Sequence, residues 1–198
     1  MTNTLLSLGH GYSASALADR LLPLGWRIIG TTRKRDKAET MAANGIEPRI
    51  WPADGPDAPS DLARDIADAT HILASAAPGE TGDPFLPHIE TALRKARPQW
   101  VGYLSTTGVY GDHQGDWVDE TAPLTPATKR GQLRVLAEAQ WQALAEQADL
   151  PLHIFRLAGI YGPGRGPFST VRAGTARRII KEGQVFSRIH VEDIATAL

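Results

Sequence analysis

The 198-residue sequence contains no cysteine, which excludes disulfide bonds, thiolate metal ligands and a cysteine nucleophile. No metal-ligand spacing stands out either, so no metal site is predicted. The charges nearly balance, with 21 Lys and Arg against 22 Asp and Glu, and this gives no argument for a nucleic-acid or anionic-membrane partner. No run approaches the ~20 apolar residues that span a bilayer. With no basic leader at the start, these absences predict a cytoplasmic protein.

Short apolar runs alternate with helical patterns along most of the chain, which is typical of βα units and a parallel sheet. The predicted strands cover residues 5–8, 26–31, 46–51, 71–74, 100–104 and 153–157. The predicted helices cover residues 13–22, 36–44, 60–68, 84–97 and 128–147. The pattern therefore predicts an α/β fold, a doubly wound Rossmann domain.

The composition of the sequence changes after the sixth predicted strand. Residues 1–158 are expected to form the nucleotide-binding domain, and residues 159–198 the start of a smaller substrate-side region. The stretch 151–198 holds seven Lys or Arg against three Asp or Glu, and Gly159 to Gly166 is rich in glycine and proline. The chain stops inside an amphipathic pattern without a helix-stop residue, so we expect that region to be incomplete.

A glycine-rich loop follows the first predicted strand and matches the G-x-G-x-x-G/A pattern of dinucleotide-binding proteins. Gly9 permits a tight turn, and Gly11 lets a pyrophosphate approach the backbone. Tyr12 and Ser13 open the next helix, whose free N–H groups favour an anion, and Ala14 is small enough for close packing on the sheet. The alternative is a glycine-rich turn without a ligand.

The end of the second predicted strand indicates which coenzyme is preferred. An NAD site usually has an acidic residue there, but Gly30 to Arg35 contains none and includes three cations. Arg33 suits a 2′-phosphate because its planar guanidinium can form charge-assisted bidentate bonds. The pattern favours NADP over NAD; the alternative is a solvated basic turn.

Several longer segments resemble the extended short-chain dehydrogenase/reductase family, which includes NAD(P)-dependent epimerases and dehydratases. Besides the glycine loop, these segments are Ser105 to Asp112, Glu120 to Glu138, Phe155 to Gly164 and Arg188 to Ala195. The resemblance implies that Asp54 contacts the adenine; the alternative for Asp54 is a turn cap before Pro56. It also implies a homodimer formed by helices 84–97 and 128–147.

The resemblance also assigns the catalytic positions, two of which depart from the family pattern. Thr106 stands where the family has a Ser or Thr that orients the substrate, and Thr107 takes this role if the register shifts by one. The family's Tyr-x-x-x-Lys pair is replaced by Arg130 and Arg134. Arg134 is expected to keep the ribose contact. Arg130 does not titrate near neutral pH, so it would bind an anionic substrate group or stabilise an oxyanion.

Other interpretations of these positions stay open. A second register pairs Thr125 with Lys129 at the same spacing. Arg130 and Arg134 could both be solvated helix cations, with Arg134 paired to Glu138 one turn on. His113 lies in the long loop near the expected site and titrates in a range that suits proton transfer.

The sequence thus predicts an NADP-dependent oxidoreductase or epimerase-like enzyme. Hydride would move between the nicotinamide and a small polar or nucleotide-linked substrate. Because the family's proton-transfer tyrosine is absent, the alternative is a non-catalytic NADP-binding sensor or partner-binding module. Fold alone does not decide between the two, since function lies in the site.

Overall fold

A computed structural model describes residues 2–51, 61–178, 180, 183 and 185–198. Six parallel strands form the central sheet in the order β3-β2-β1-β4-β5-β6. These strands are β1 (Thr4–Leu8), β2 (Arg27–Thr32), β3 (Glu47–Ile50), β4 (His71–Ala74), β5 (Trp100–Thr106) and β6 (Leu152–Leu157). A two-stranded parallel sheet follows, made of β7 (Gly159–Tyr161) and β8 (Arg188–His190). The predicted doubly wound α/β fold is confirmed.

Helices cover both faces of the large sheet, and the core divides into two layers accordingly. The helices are α1 (Tyr12–Leu21), α2 (Arg35–Ala43), α3 (Leu62–Asp68), α4 (Leu86–Leu93), α5 (Lys129–Ala148), α6 (Pro167–Arg172) and α7 (Val191–Ala197). One apolar cluster packs α3, α4 and α5 against the sheet, and the other packs α1, α2 and α7. Strands buried from both sides explain the continuous apolar runs in the sequence.

The last helix returns to the large sheet. Val191, Ile194 and Ala195 are buried, and Ala195 belongs to the same apolar cluster as Leu17 and Ala18 of α1. Between β7 and α7 the chain forms a small excursion whose helix α6 has no buried residue among those described. The glycine- and proline-rich segment, residues 159–166, therefore lies beside the start of α1, where Arg165 packs over the ring of Tyr12.

Helix α4 is shorter than the predicted span 84–97 at both ends, and the carboxylate of Asp83 holds the turn that precedes it. The carboxylate of Asp83 accepts the backbone N–H groups of Phe85 and Leu86, at 2.8 and 3.2 Å. It also accepts the indole N–H of Trp141 at 2.9 Å, which fixes α4 against α5. Burial raises the pKa of Asp83.

The inward face of α5 carries charged residues as well as apolar ones. Leu136 is exposed, whereas Arg134 and Glu138 are buried with Ala137 and Trp141. Glu138 does not pair with Arg134. It forms an ion pair with Arg156 on β6 at 2.9 Å and accepts the hydroxyl of Ser105 at the end of β5. Glu138 therefore holds α5 against the carboxyl ends of β5 and β6.

Among the described residues, no helix is long and apolar enough to cross a membrane.

The order of the large sheet reverses between β1 and β4, its first and fourth strands in sequence. In doubly wound folds, ligands bind at the carboxyl ends of the strands beside such a reversal. The loops that follow β1, β4 and β5 all begin at this edge of the sheet.

Candidate coenzyme and substrate site

The glycine loop lies at this reversal and is held by hydrogen bonds from both neighbouring strands. The N–H of Gly9 donates to the hydroxyl oxygen of Thr31 at 2.6 Å, and the hydroxyl of Ser75 donates to the carbonyl of Gly9 at 2.6 Å. Gly9 has φ +82°, and a Cβ there would lie 2.9 Å from the backbone N of Ala76. The local fold itself therefore requires glycine at position 9.

Gly11 has a different reason to be glycine. Its φ of −112° suits any residue, and an added Cβ would contact only the carbonyl oxygen of Gly9, at an ordinary 3.6 Å. It caps α1, whose first turn, beginning with Tyr12 and Ser13, leaves backbone N–H groups without helical partners. Ala14 is fully buried against the sheet. No described residue crowds position 11, so packing does not explain the bare backbone of Gly11, whereas a close-approaching anion would need it.

Two cavities meet at Gly11. One, of about 760 Å³, extends over the end of β2, and the other, of about 750 Å³, extends over the end of β5. A dinucleotide has two halves joined by a pyrophosphate, so this arrangement fits such a coenzyme, with the pyrophosphate at the start of α1. We name the first the adenosine-side cavity and the second the nicotinamide-side cavity.

Cations line the adenosine-side cavity where β2 ends. Arg33 is exposed there beside Lys34 and Lys37, and among the described residues none of the three forms an ion pair. The ammonium of Lys37 donates to the carbonyl of His10, and burial lowers the pKa of Lys37. Lys37 was not predicted from the sequence, although its position in the first turn of α2 places it near the loop.

Aromatic side chains form another part of the same cavity. Trp51 and Phe85 meet edge to face, with ring centroids 4.7 Å apart, and His88 lies 5.3 Å from Trp51. This grouping was also missed, because it joins residues far apart in sequence. Asp54, which the family resemblance placed at the adenine, lies outside the described residues.

His10 is the buried residue between the two loop glycines. It is 2% exposed, and neither ring nitrogen has a hydrogen-bond partner among the described residues. Burial, aided by the nearby charge of Lys37, lowers the pKa of His10 to about 4. Its ring packs over Gly30, where an added Cβ would approach His10 within 3.0 Å. The loop therefore contains a neutral histidine at neutral pH.

Thr106 lies at the end of β5, on the wall of the nicotinamide-side cavity. Its hydroxyl oxygen accepts the N–H of Gly108 at 3.2 Å, which starts a short 3-10 turn over residues 107–109. Thr107 lines a neighbouring cavity instead. The neighbouring Ser105 is held by Glu138, so the strand end that carries Thr106 is fixed to α5.

Arg134 is buried at 8% exposure and anchors α5 to β5. One guanidinium nitrogen donates to the carbonyl of Leu104 at 2.6 Å and to the hydroxyl of Tyr103 at 3.2 Å. The guanidinium also lies 5.7 Å from the centre of the Tyr103 ring, and burial raises the pKa of that tyrosine to about 12. Nε of Arg134 has no partner among the described residues, yet the side chain lines the cavity. The alternative of a solvated cation at position 134 is wrong.

Arg130 lies one turn before Arg134 and is exposed on the cavity wall. It forms no ion pair within the described part of the chain. Thr125 and Lys129, the second register, do not line this cavity; the hydroxyl of Thr125 donates to the carbonyl of Tyr110 at 2.6 Å. The geometry brings together Thr106, Arg130 and Arg134.

His113 lies away from this group. Its ring is hydrogen bonded to the carbonyl of Tyr110 at 3.1 Å, and it lines the neighbouring cavity over the 107–118 loop. The hydroxyl of Tyr110 itself accepts from Arg156 at 2.9 Å. Neither residue lines the nicotinamide-side cavity. Within the described residues, no group of three or more His, Asp or Glu side chains could hold a metal ion.

The strand order, the glycine loop at the strand reversal and the two cavities that share Gly11 define a doubly wound dinucleotide-binding domain. A sequence model of the NAD dependent epimerase/dehydratase family matches residues 87–198. The chain belongs to this family, and its function is of the NAD(P)-binding, epimerase/dehydratase-like type.

Individual proteins of known sequence or structure are also similar to this chain. The Escherichia coli protein YeeZ is 32% identical over 206 residues, covering 96% of this chain and 70% of YeeZ. A solved protein described as functionally unknown and conserved, from Silicibacter pomeroyi, is 57% identical with a TM-score of 0.87, covering 98% of this chain and 66% of that one. The UDP-glucuronic acid 4-epimerase of Bacillus cereus, solved with UDP-glucuronic acid and NAD, shares the fold at 18% identity and TM-score 0.77, covering 97% of this chain and 70% of that one.

Proposed function

We propose that this protein is an NADP-dependent oxidoreductase or epimerase-like enzyme with an atypical site. The observation that carries the proposal is the meeting of two cavities at Gly11, one with cations at the end of β2 and the other with Thr106 beside two arginines. When bound, the coenzyme would accept or supply a hydride. The substrate would be small and polar or linked to a nucleotide.

Arg33 is proposed to hold the coenzyme's 2′-phosphate, with Lys34 and Lys37 adding positive charge. No acidic residue stands at the end of β2 to bind a ribose diol instead. The three cations lie beside the loop that would hold the pyrophosphate. NADP is therefore favoured over NAD. Asp54 remains proposed as an adenine contact from the family resemblance alone.

In the nicotinamide-side cavity, each residue has a different proposed task. Thr106 would donate a hydrogen bond to the substrate oxygen, from a strand end that Ser105 and Glu138 hold in place. Arg134 would bind the nicotinamide ribose through the part of its guanidinium that lines the cavity. Arg130 would hold a negative substrate group and stabilise developing negative charge without transferring a proton.

A non-catalytic NADP-binding module is the second candidate, and one observation favours it. Among the described residues that line the nicotinamide-side cavity there is no carboxylate, imidazole or lysine. Proton transfer would then depend on hydroxyl groups or water. Tyr12 is the phenol present, but its hydroxyl is occupied by the carbonyl of Pro163 at 2.9 Å.

Two measurements separate these candidates. Titration calorimetry with NADPH and NADH tests the coenzyme, and NADPH oxidation with a panel of carbonyl compounds and nucleotide sugars tests catalysis. Tight NADPH binding with turnover of one panel member supports the enzyme. Tight binding without any turnover, in a chain as long as the relatives, supports the binding module.

Three further predictions concern the whole protein. We propose that residues 159–198 begin a substrate-side region, while α7 returns to pack on the domain formed by residues 1–158. A homodimer through α4 and α5 is proposed from the family resemblance. A cytoplasmic location is proposed from the composition.

A further inference from the structure

The nicotinamide-side cavity has an unusual charge. Five arginines and no Asp, Glu, Lys or His are found among the described residues that line it. The five are Arg130, Arg134, Arg165, Arg177 and Arg188. Like charges in one concave site repel each other and attract an anionic ligand, because a cleft concentrates the field of its charges.

The arginines form two groups along the chain. Arg130 and Arg134 stand one turn apart on α5, next to Thr106, and we call them the inner pair. The buried member of this pair keeps an unpartnered Nε–H, although it lines an open cavity. A buried donor left without a partner costs free energy unless a ligand or water satisfies it, so this group points to a binding function.

The other group comes from the segment between β6 and α7, and we call Arg165, Arg177 and Arg188 the outer arginines. Arg165 lies 5.4 Å above the ring of Tyr12, whose hydroxyl donates to the carbonyl of Pro163 at 2.9 Å. These two contacts hold Arg165 beside the start of α1. None of the outer arginines forms an ion pair with a described residue.

The position of Arg188 depends on a glycine in the paired strand. Arg188 on β8 faces Gly159 on β7, and a Cβ on that glycine would lie 2.8 Å from a guanidinium nitrogen of Arg188. The guanidinium also lies 5.5 Å from the centre of the Phe186 ring. The side chain is therefore supported by packing rather than by a carboxylate. Its charge stays available to a ligand.

The coenzyme alone does not account for these five charges. Backbone N–H groups at the start of α1 can hold the pyrophosphate, and the cations around Arg33 can hold a 2′-phosphate in the other cavity. A neutral substrate would still leave Arg130, Arg177 and Arg188 without an anion, because of the five only Arg134, at the proposed ribose, and Arg165, beside the start of α1, lie next to the proposed coenzyme. A substrate with a single anion would match only one of the two groups.

We propose that the substrate carries two separate anionic groups, a carboxylate near the reacting carbon at the inner pair and a phosphate or diphosphate at the outer arginines. This inference rests on the proposed function and narrows its substrate class. Arg130 would bind the carboxylate, since a guanidinium matches the two oxygens of that group. Arg177 and Arg188 would bind the phosphate oxygens, with Arg165 beside them.

The test uses three probes of similar size: gluconate, glucose 6-phosphate and 6-phosphogluconate. Dissociation constants are measured by titration calorimetry on protein saturated with NADP. We expect 6-phosphogluconate to bind at least ~10-fold more tightly than either single anion, as an added charge-assisted contact would provide. UDP-glucose and UDP-glucuronate form a second series, which distinguishes a nucleotide diphosphate from a monophosphate as the source of the outer anion.

Variants assign each anion to its arginines. Arg130→Gln should remove the preference for 6-phosphogluconate over glucose 6-phosphate, and for UDP-glucuronate over UDP-glucose. Arg188→Gln should instead remove the preference for 6-phosphogluconate over gluconate. Arg178→Gln is the matched control, because Arg178 neighbours Arg177 but does not line the cavity. That variant should bind all probes like the parent.

The proposal is overturned if neither series prefers the doubly anionic probe, or if the preferences survive in Arg130→Gln and Arg188→Gln. Failure of the proposed function is seen separately, because NADP is titrated first. If NADP does not bind, the same probes are titrated without it. Doubly anionic preference that still depends on these arginines would then support the anion sites and reject the coenzyme assignment.

Discussion

Arg134 donates a hydrogen bond of 2.6 Å to the carbonyl oxygen of Leu104, joining the long helix α5 to the strand that ends in Thr106. The same side chain lines the cavity and keeps one N–H unpartnered. It therefore links the stability of the fold to the proposed ribose contact. A lysine could donate to the Leu104 carbonyl, but it lacks the planar guanidinium whose several N–H groups can contact the strand and the cavity together.

Replacing Arg134 tests both roles. Arg134→Met should remove the hydrogen bonds from this side chain to the Leu104 carbonyl and the buried Tyr103 hydroxyl, lowering the free energy of unfolding by about 1–3 kcal/mol. It should also weaken NADPH binding through loss of the ribose contact. Urea unfolding and calorimetry measure the two effects, and Arg134→Lys should recover part of each. Unchanged NADPH affinity in a folded Arg134→Met protein would remove this residue from the coenzyme site.

Arg33 is the residue proposed to set the preference for NADPH over NADH. Arg33→Ala should lose a charge-assisted bond of ~1.5–3 kcal/mol, or roughly ten- to a hundredfold in NADPH affinity. NADH binding should barely change, because NADH lacks the 2′-phosphate. Calorimetric titration with both coenzymes provides the comparison, and Arg20→Ala on α1 is a control at a basic residue that does not line the cavity. Equal losses for both coenzymes would contradict the assignment.

The two loop glycines should behave differently when replaced. Gly11→Val should abolish binding of both coenzymes but leave the protein folded, because a Cβ there meets no crowding in the protein itself. Gly9→Val should instead destabilise the fold by about 1–3 kcal/mol or more, since position 9 has positive φ and no space. Thermal unfolding and NADPH titration of both variants separate the cases. Dinucleotide binding that survives Gly11→Val would place the coenzyme elsewhere.

Arg130 should act by its fixed charge. Arg130→Lys is expected to keep part of the turnover, because the charge remains while the fork is lost. Arg130→Met should lose most of the turnover with NADPH affinity nearly unchanged. The limbs of the pH profile should come from other groups, because Arg130 transfers no proton in the proposed site. Steady-state kinetics on the best substrate of the panel are the measurement, and parental turnover in Arg130→Met would refute the site.

His10 should make stability depend on pH. Its pKa in the folded protein, about 4, lies below the ordinary 6.5, so the unfolded chain takes up a proton first as the pH falls. The free energy of unfolding should therefore decrease from pH 6.5 towards pH 4, by at most about 3 kcal/mol, and level off below. Urea unfolding at pH 7 and pH 4.5 should show a smaller decrease in His10→Gln than in the parent. The exposed His153→Gln serves as control, and an equal decrease in all three would disprove the role of His10.

Much of the fold could be predicted because buried parallel strands and their connecting helices leave local patterns. Helix α5 was predicted at 128–147 and spans Lys129–Ala148, with Thr128 capping it through the N–H of Gly131. Helix α4 was misjudged at both ends, since its start depends on Asp83 and on a contact with Trp141, far along the chain. The inward Arg134 and Glu138 were not expected in the core, because their partners lie on other strands.

The sequence by itself determined the doubly wound fold, the glycine loop and the family, since these follow from hydrophobic period, glycine spacing and short contiguous motifs. It also predicted that arginines replace the Tyr-x-x-x-Lys pair. Only the tertiary structure placed Lys37, Trp51 and Phe85 around one cavity, and the outer arginines around the other. The physical reason is that charge and burial depend on groups brought together by the turns between strands, and no local pattern records those distances.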